Sequence, residues 1–189
     1  MANWNLSQIS RRARVPLGFL LGLSSLVLAT PTLWSVLAGA MLALFGLAWR
    51  AWASGHLRKN EQLAISGPYA YTRNPLYFGS FFLGTGFALA TARWEIVAVF
   101  VLFYLLIYSS VMRSEAEHMQ QIFPDHYPNY AKNVPLFWPK FSAWQNSTKR
   151  DFDLSLYLRY REYRALLGTV AALAILVAKI YWLPLTFNK

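Results

Sequence analysis

The residues best suited to chemistry lie in two polar segments of the chain. The first, Gly67–Gly79, reads GPYAYTRNPLYFG and combines tyrosines, an arginine, prolines and glycines at fixed spacings. The second, Arg113–Tyr130, reads RSEAEHMQQIFPDHYPNY and adds carboxylates and histidines. A connecting loop needs only polarity and a turn, so neither segment is explained as a connector. Because a single apolar hairpin separates them, we predict that they form one site at a membrane surface.

Several common reaction classes have no matching residue pattern in this chain. No Ser/His/Asp arrangement indicates hydrolysis, and neither GxGxxG nor GxxxxGK[ST] indicates a soluble nucleotide-binding fold. The sequence contains no cysteine, which excludes a disulfide framework and a thiol nucleophile. Its histidines, His56, His118 and His126, lack metal-ligand spacing. We therefore predict no metal site.

A structural interpretation of the first segment is also open. Asn74 is a good helix N-cap and Pro75 suits the first helical position, so the pair could simply begin a helix. Arg73 could then reach lipid headgroups, and Tyr77 could anchor at the interface. This interpretation explains each residue singly, but it accounts neither for GPYAY upstream nor for the second polar segment.

The second polar segment has default structural roles as well. Glu115 and Glu117 come at the end of the fourth apolar segment, where they could be solvated or could neutralise Arg113. Tyr127 and Tyr130 are spaced i and i+3 and would share a helix face, so packing is their default role.

Composition indicates that these segments belong to a membrane protein. Of the 189 residues 56% are hydrophobic and the mean hydropathy is positive, which is too apolar for an ordinary soluble domain. Aromatic residues make up 17%, as aromatic belts at both interfaces would require. Anionic lipid headgroups explain the net charge of +10 better than nucleic acid, because the basic residues flank apolar segments.

Five apolar segments predict an all-α fold, a polytopic membrane bundle of about five transmembrane helices. Very short links join the first segment to the second and the third to the fourth, which predicts two antiparallel helix hairpins. From Asp151 the chain becomes amphipathic, and we expect an interfacial helix with Asp151 or Asp153 as its N-cap. The segments span roughly Val15–Thr30, Leu33–Ala53, Leu76–Ala92, Ile96–Met112 and Leu166–Leu185.

The distribution of basic residues predicts the orientation of the bundle. Arg73, Arg113 and most other basic residues fall on one side, whereas the opposite side holds Arg93 and Lys189, with Lys179 near that end. The positive-inside bias therefore predicts an integral, multi-pass protein with its N-terminus and its site in the cytoplasm. A prokaryotic plasma (inner) membrane is the expected location.

The first polar segment resembles the cofactor motif of the isoprenylcysteine carboxyl methyltransferase and phospholipid methyltransferase family. These integral membrane enzymes use S-adenosylmethionine. The family pattern G-x-Y-x-x-x-R-[HN]-P-x-Y-x-G matches Gly67–Gly79. In the family a hairpin and E-E-x-x-L-x-x-x-F-G-x-x-Y-x-x-Y follow, and here Glu115–Tyr130 reads EAEHMQQIFPDHYPNY. A V-P…P stretch matches at Val134–Pro139, so the resemblance covers roughly Glu61–Pro139.

The resemblance implies an activity and a set of site residues. The activity is S-adenosylmethionine-dependent methyl transfer to a lipophilic or membrane-associated acceptor (a carboxylate, thiol or amine), with membrane lipids as partners and no nucleic acid. Glu115 matches a carboxylate that can partner the cofactor's ammonium or hydroxyls. The candidate catalytic residues are Arg73, Arg113 and Glu117. The candidate cofactor-binding residues are Glu61, Gln62, Leu63, Ala64, Tyr69, Asn74, Pro75, Leu76, Tyr77 and Glu115.

The whole chain is predicted to form a single membrane domain. Residues 1–53 would form an N-terminal helical hairpin, and residues 54–140 would form the methyltransferase-like core. Residues 141–189 would supply the interfacial helix and a C-terminal membrane helix. Both polar segments belong to the core.

The sequence departs from the family pattern at a few positions. Asn74 replaces the histidine of R-H-P, as in many bacterial-looking members. Ala116 stands at the second glutamate, with Glu117 one position later, and Val111 stands at the substrate-side arginine, with Arg113 two positions later. The sequence therefore does not identify the methyl acceptor. A prenylcysteine, phosphatidylethanolamine, a small thiol and an isoprenoid are all compatible with it. The oligomeric state stays open as well.

Two alternative functions also stay open. An NADPH-dependent, sterol-reductase-like membrane enzyme would share a related multi-helix architecture, and the charge of +10 could suit a dinucleotide phosphate. A small non-catalytic membrane protein could instead bind anionic lipid or a partner through its basic face. Titration with S-adenosylmethionine and with NADPH would separate these possibilities, because the non-catalytic protein would bind neither saturably.

Overall fold

The chain folds into helices that differ in length and apolar content. The computed structural model describes residues 6–58, 62–147 and 150–187, with side chains described between residues 15 and 182 of these ranges. No strand occurs in the described ranges, so the all-α prediction is confirmed. Glu61 and Lys189, which entered the sequence-based predictions, lie outside the described residues. The helices are α1 (Leu6–Leu28), α2 (Leu33–Ser54), α3 (Pro75–Ala90), α4 (Trp94–Ile122), α5 (Tyr127–Asn133), α6 (Leu154–Arg159) and α7 (Tyr163–Phe187).

Three of these helices are long and apolar enough to cross a membrane. They are α2, α4 and the part of α7 that spans Tyr163–Trp182. Val15–Leu28 of α1 and the whole of α3 are apolar but shorter, and a straight span needs about 20 residues. Large apolar side chains such as Phe19 and Trp34 are exposed, as a lipid environment permits. The architecture is that of a polytopic helical membrane protein.

The most extensive helix interface in the described structure is between α2 and α3. Glycines allow the two backbones to approach closely. A Cβ atom added to Gly46 would lie 2.5 Å from the carbonyl oxygen of Gly79, and one added to Gly86 would lie 2.5 Å from that of Gly39. Such small residues permit helix association in a membrane, where lipid gives no hydrophobic force between helices. They fix α3, which carries the end of the first polar segment, along α2.

The predicted hairpin between the first two segments is wrong, whereas the hairpin between the third and fourth is confirmed. Helix α1 packs against α4 instead of pairing along α2. The reason lies partly in the link after α1, where Thr30 N donates a hydrogen bond of 3.0 Å to the carbonyl of Thr91 at the end of α3. This bond draws the link across the bundle, and the glycine face of α2 is already covered by α3.

The fourth segment forms a longer helix than the sequence predicted. Helix α4 continues beyond Met112 to Ile122, because the polar residues that follow the apolar run include several good helix formers. Glu115 and Glu117 therefore lie within the helix and not at its carboxyl end. Their relation to the helix dipole is correspondingly weaker than expected.

The amphipathic segment near the C-terminus forms α6. Asp153 is its N-cap, and its carboxylate accepts a hydrogen bond of 2.9 Å from Ser155 N, which confirms one of the two predicted caps. The chain before α6 covers the end of α2, where the ring of Phe152 lies against Gly55. Asp153 N also donates to the carbonyl of Gly55 at 3.1 Å. These contacts set the direction in which α7 begins.

Candidate functional site

The first polar segment, Gly67–Gly79, is called the motif loop below, and it starts with a turn that needs glycine. Gly67–Ala70 form a short 3₁₀ helix in which Tyr69 is buried. Gly67 has a φ of +55°, in the left-handed region that favours glycine. A Cβ atom at this position would also lie 2.5 Å from Cδ2 of the His56 ring. Both backbone conformation and available space therefore favour glycine here.

Asn74 and Pro75 begin α3, as the sequence predicted, but the Asn74 side chain makes no capping hydrogen bond. Its amide Nδ2 donates instead to the carbonyl of Leu136 at 2.9 Å. Two further bonds join the same stretches, from Arg73 N to Pro135 O at 2.9 Å and from Thr72 Oγ1 to Phe137 O at 2.8 Å. The chain that follows α5 is therefore fastened back over the motif loop.

The two polar segments meet at Tyr77 and Glu115. The Tyr77 hydroxyl donates a hydrogen bond of 2.6 Å to Glu115 Oε1, and the hydroxyl of Tyr104 donates to the carbonyl of Tyr77 at 2.6 Å. The ring of Tyr108 packs edge-on against Tyr77 with 5.4 Å between centroids. The α3–α4 hairpin thus brings the segments together, as the sequence predicted, and holds the partly buried Glu115 carboxylate in one direction.

Arg73 carries a buried donor that no described residue satisfies. Its Nη1 donates to the hydroxyl of Tyr127 at 3.1 Å, and its guanidinium carbon lies 5.9 Å from the centroid of that ring. Its Nε is buried without a hydrogen-bond partner, a state that only Trp49 Nε1 shares among the described side chains. A buried unpaired donor costs about 1–3 kcal/mol. Arg73 therefore retains one N–H that no described residue accepts.

Tyr127 and Tyr130 of α5 are buried, as the packing prediction required. The Tyr130 hydroxyl donates to the carbonyl of Tyr69 at 2.7 Å, which ties α5 to the motif loop. Leu63 packs against the same cluster of rings. Helix α5 therefore holds the motif loop in place through side-chain packing and one buried hydrogen bond.

The Tyr69 hydroxyl lies within electrostatic reach of charged residues from several elements. Burial raises the pKa of its hydroxyl, and the neighbouring Tyr160, Glu162 and Glu115 raise the pKa further, while Arg50 opposes them. The charges around this tyrosine therefore come from α2, from α4 and from the turn before α7. Tyr69 is neutral at physiological pH, so it can donate a hydrogen bond but does not act as a base.

The other predicted site residues are placed less centrally. Gln62 Oε1 accepts a hydrogen bond of 2.8 Å from Arg150. Arg113 and Glu117 are exposed on α4, on different faces from Glu115, so the structure does not bring them to the Tyr77–Glu115 pair. Two of the remaining predicted cofactor residues, Leu63 and Ala64, lie in the chain just before the motif loop. The other two, Pro75 and Leu76, belong to the loop itself.

Sequence reasoning missed an ion pair that adjoins this site. Arg50 of α2 pairs with Glu162 in the turn before α7, with 3.0 Å from Nε to Oε2 and 2.9 Å from Nη2 to Oε1. Arg50 Nη1 also donates to Ser80 Oγ on α3. The sequence shows only that Arg50 lies near the end of the second apolar segment and that Glu162 shortly precedes the fifth. Nothing in the sequence joins the two.

An apolar cavity of about 470 Å³ lies between α1, α2, α3, α4 and α7. A column of aromatic rings connects its wall to the candidate site. Phe100, which lines the cavity, lies 5.7 Å from Tyr104, and Tyr104 stacks on Tyr108 at 4.1 Å. Tyr108 in turn contacts Tyr77. An apolar group in the cavity would therefore lie at one end of this column, with Glu115 at the other.

Comparison with known proteins identifies the family. Residues 17–126, more than half of the chain, match the phospholipid methyltransferase family. The chain belongs to this family. The resemblance inferred from the motif loop is thereby confirmed, and the match ends just before Tyr127. Helices α5, α6 and α7 therefore lie beyond the part that defines the phospholipid methyltransferase family. No solved structure matches the chain.

Two curated relatives of this family member are named for resistance to metals. The cobalt-zinc-cadmium resistance protein CzcN of Cupriavidus metallidurans is 33% identical over 122 residues, which cover 64% of this chain and 55% of the relative. The nickel-cobalt-cadmium resistance protein NccN of Alcaligenes xylosoxydans xylosoxydans is 32% identical over 111 residues, with 58% and 51% covered. The chain thus spans about half the length of these relatives. Among its described residues, no group of three or more His, Cys, Asp or Glu side chains could hold a metal ion.

Proposed function

We propose that this protein transfers a methyl group from S-adenosylmethionine to a lipophilic acceptor at the membrane surface. The observation that carries the proposal is the hydrogen bond between Tyr77 and Glu115, which joins the motif loop to α4 in a member of a methyltransferase family. The same loop carries the unsatisfied donor of Arg73. A fixed carboxylate and an unpaired cationic donor together suit a ligand that bears both charges.

S-adenosylmethionine fits these side chains, because it carries an ammonium, a carboxylate and ribose hydroxyls. When bound, it supplies an electrophilic methyl group on its sulfonium. Glu115 would hold the ammonium or the ribose hydroxyls, and the partly exposed guanidinium of Arg73 would hold the carboxylate. Tyr69, which stays neutral, would offer a hydroxyl, and Pro75 and Leu76 would line the pocket. Asn74 would act by keeping the Leu136 segment over the pocket.

The acceptor would reach the site from the bilayer. Its hydrocarbon part would occupy the apolar cavity, where the lining side chains would replace its packing contacts with lipid. The aromatic column from Phe100 to Tyr77 would then separate its tail from the polar site. The protein's main task is to hold two reactants in line and to exclude water, which can supply several kcal/mol of the barrier. A carboxylate or thiolate acceptor needs little more, whereas an amine acceptor would need a base, a role for which the exposed Glu117 is poorly placed.

The basic residues and the names of the relatives suggest where this activity is used. The positive-inside bias favours a site on the cytoplasmic face of a bacterial plasma membrane.

CzcN and NccN are named for metal resistance, so we propose that lipid methylation by this protein supports growth under metal stress. Deletion of its gene should then increase sensitivity to cobalt, nickel or cadmium, and the Glu115→Gln variant should fail to restore growth. If the Glu115→Gln variant fully restored growth on metal, resistance would not depend on methyl transfer.

A calorimetric titration of the purified protein tests the cofactor assignment. S-adenosylmethionine should bind saturably, and Glu115→Gln should raise its Kd by about tenfold or more, because a charged hydrogen-bond partner is lost. Glu95→Gln is a matched control, since Glu95 is an exposed carboxylate at the opposite end of the same helix. Saturable binding of NADPH without S-adenosylmethionine would favour the reductase. Binding of neither would favour a non-catalytic protein.

A further inference from the structure

The Arg50–Glu162 pair lies beyond one end of the apolar cavity, and Arg50 lies beside Gly79 of the motif loop. On α2, Arg50 follows the cavity-lining Ala43 by about two turns on the same face. Ser80 on α3 and Glu162 in the turn before α7 each precede cavity-lining residues by about three positions. Helices α2 and α3 and the turn before α7 therefore place a polar side chain towards the same end of the cavity, which is also the end at which the motif loop leads into α3.

The position of this pair is poorly explained by stability alone. The side chains of Arg50 and Glu162 are 21% and 12% exposed, so both charges are largely removed from water. A buried ion pair is a weak source of stability, because desolvation offsets much of the attraction. The α2–α3 interface is already formed by its glycines. A well-packed apolar pair would hold α7 against α2 as effectively.

The motif loop itself accommodates Arg50. A Cβ atom added to Gly79 would lie 2.7 Å from Cγ of Arg50, so the last glycine of the loop leaves space for the arginine stem. Arg50 Nη1 is directed to Ser80, the next residue of α3. The electrostatic influence of both Arg50 and Glu162 reaches the hydroxyl of Tyr69. The ion pair therefore adjoins the motif loop near this end of the cavity.

We propose that Arg50 binds the anionic group, a carboxylate or a phosphate, of an amphiphile whose hydrocarbon chain fills the apolar cavity. A guanidinium presents its N–H donors in a fork that matches the paired oxygens of these groups. Glu162 and Ser80 hold the guanidinium in position until the anionic group displaces the Glu162 carboxylate from it. The inference rests on the proposed function only in naming this amphiphile as the methyl acceptor, and it makes Arg50 the residue that selects anionic acceptors.

Binding of a matched set of probes to the protein in phosphatidylcholine nanodiscs tests this role. Hexadecyl phosphate, hexadecanoate and hexadecanol share one chain length and differ in headgroup. The two anions should bind at least about tenfold more tightly than the alcohol. Arg50→Gln should abolish this preference. Glu162→Gln should increase it severalfold, because Arg50 then loses the carboxylate with which the probe competes.

Opposite effects of the two substitutions distinguish recognition from a structural tie. If the pair only fastened α7, both variants would lower the melting temperature and neither would change headgroup preference. Lys179→Gln is a control for loosening α7, since Lys179 Nζ donates to the carbonyls of Leu26 and Val27 at 2.9 and 2.7 Å near the other end of α1. This variant should keep the preference. An unchanged preference in folded Arg50→Gln would overturn the proposal.

Two further measurements decide the matter if Arg50→Gln does not fold. Arg50→Lys keeps the charge but loses the fork, and it should bind hexadecanoate more weakly than the parent while retaining some preference over hexadecanol. Hexadecanoate with a terminal photoreactive group should label cavity residues such as Leu83 and Phe103 in the parent. Labelling confined to outward-facing residues such as Leu106 and Trp34 would contradict the proposal. Titrating S-adenosylmethionine on the same samples separates failure of this inference from failure of the methyltransferase assignment.

Discussion

Tyr77 donates a hydrogen bond of 2.6 Å to Glu115, and this contact turns a loop and a helix into one candidate site. The backbone of Tyr77 is itself held from α4 by the hydroxyl of Tyr104. The direction of the Glu115 carboxylate is thus set by the first turn of α3. A ligand that needs this carboxylate depends on the α3–α4 hairpin as much as on Glu115.

Replacing Tyr77 with phenylalanine tests this dependence. The ring would keep its contact with Tyr108, but Glu115 would lose its donor and gain rotational freedom. We expect the Kd for S-adenosylmethionine to rise by about three- to tenfold with little change in stability. Tyr181→Phe, an exposed position on α7, should leave the Kd unchanged. Calorimetry measures both, and equal affinities for the parent and Tyr77→Phe would show that the orientation of Glu115 is not needed.

Removing the Asn74 side chain tests how the site is closed. Asn74→Ala loses the hydrogen bond to the carbonyl of Leu136 and should lower the free energy of unfolding by about 1 kcal/mol. Asn133→Ala is the matched control, because the exposed Asn133 amide donates to Asn129 within the same helix, α5. Proteolysis near Leu136 should be faster in Asn74→Ala than in the control. If both variants were cleaved alike, the amide would have no role in fastening this segment.

The glycine interface between α2 and α3 makes a prediction about stability. Gly46→Ala would place a methyl group 2.5 Å from backbone atoms of α3, and backbone cannot move aside as a flexible side chain can. We expect a loss of about 1–3 kcal/mol, measured as a lower melting temperature in detergent. Gly168→Ala, where a Cβ would meet nothing within 4 Å, should be neutral or stabilising. Similar melting temperatures for the two variants would contradict the close approach.

His56 makes the packing of the motif loop sensitive to pH. Burial lowers the pKa of His56 from its ordinary value of 6.5, while Asp151 opposes the shift. The ring also lies against Gly67 and within hydrogen-bond distance, 3.1 Å, of Ser66 Oγ. Because the folded state binds the proton less readily than the unfolded state, stability should decline as pH falls through 6.5 towards the lowered pKa. Above 6.5 this contribution is fully present.

His56→Gln should therefore reduce the loss of melting temperature between about pH 8 and about pH 5. His118→Gln, an exposed position, serves as the control and should keep the slope of the parent. A slope that is the same in all three proteins would mean that His56 does not couple to folding.

The long helices could be predicted because an apolar run of sufficient length has few alternatives in a membrane. The meeting of the motif loop with Glu115 could be predicted for the same reason, since a short link forces α3 and α4 into a hairpin. The helix against which α1 packs could not be predicted. It depends on a hydrogen bond from Thr30, in the link after α1, to Thr91, in the link after α3. Apolarity identifies a helix in lipid but not the helix on which it packs.

The polar contacts of the site were less accessible from the sequence. Asn74 precedes a proline, and this pattern favours a cap, yet tertiary structure offers its amide a carbonyl of Leu136 instead. Arg50 and Glu162 are 112 residues apart, so no local pattern pairs them. Such pairs depend on helix rotation and on the depth of α7 in the bundle. Neither is encoded in spacing along one segment.

The measurement that tests the central assignment most directly is mass spectrometry of lipids after incubation with methyl-labelled S-adenosylmethionine. The parent protein in membranes should transfer the label to at least one lipid-extractable product. Glu115→Gln should lower the rate by about tenfold or more at limiting cofactor, whereas Glu95→Gln should match the parent. The assignment as a lipid methyltransferase would be contradicted if the parent protein neither bound the labelled cofactor nor transferred label to any lipid.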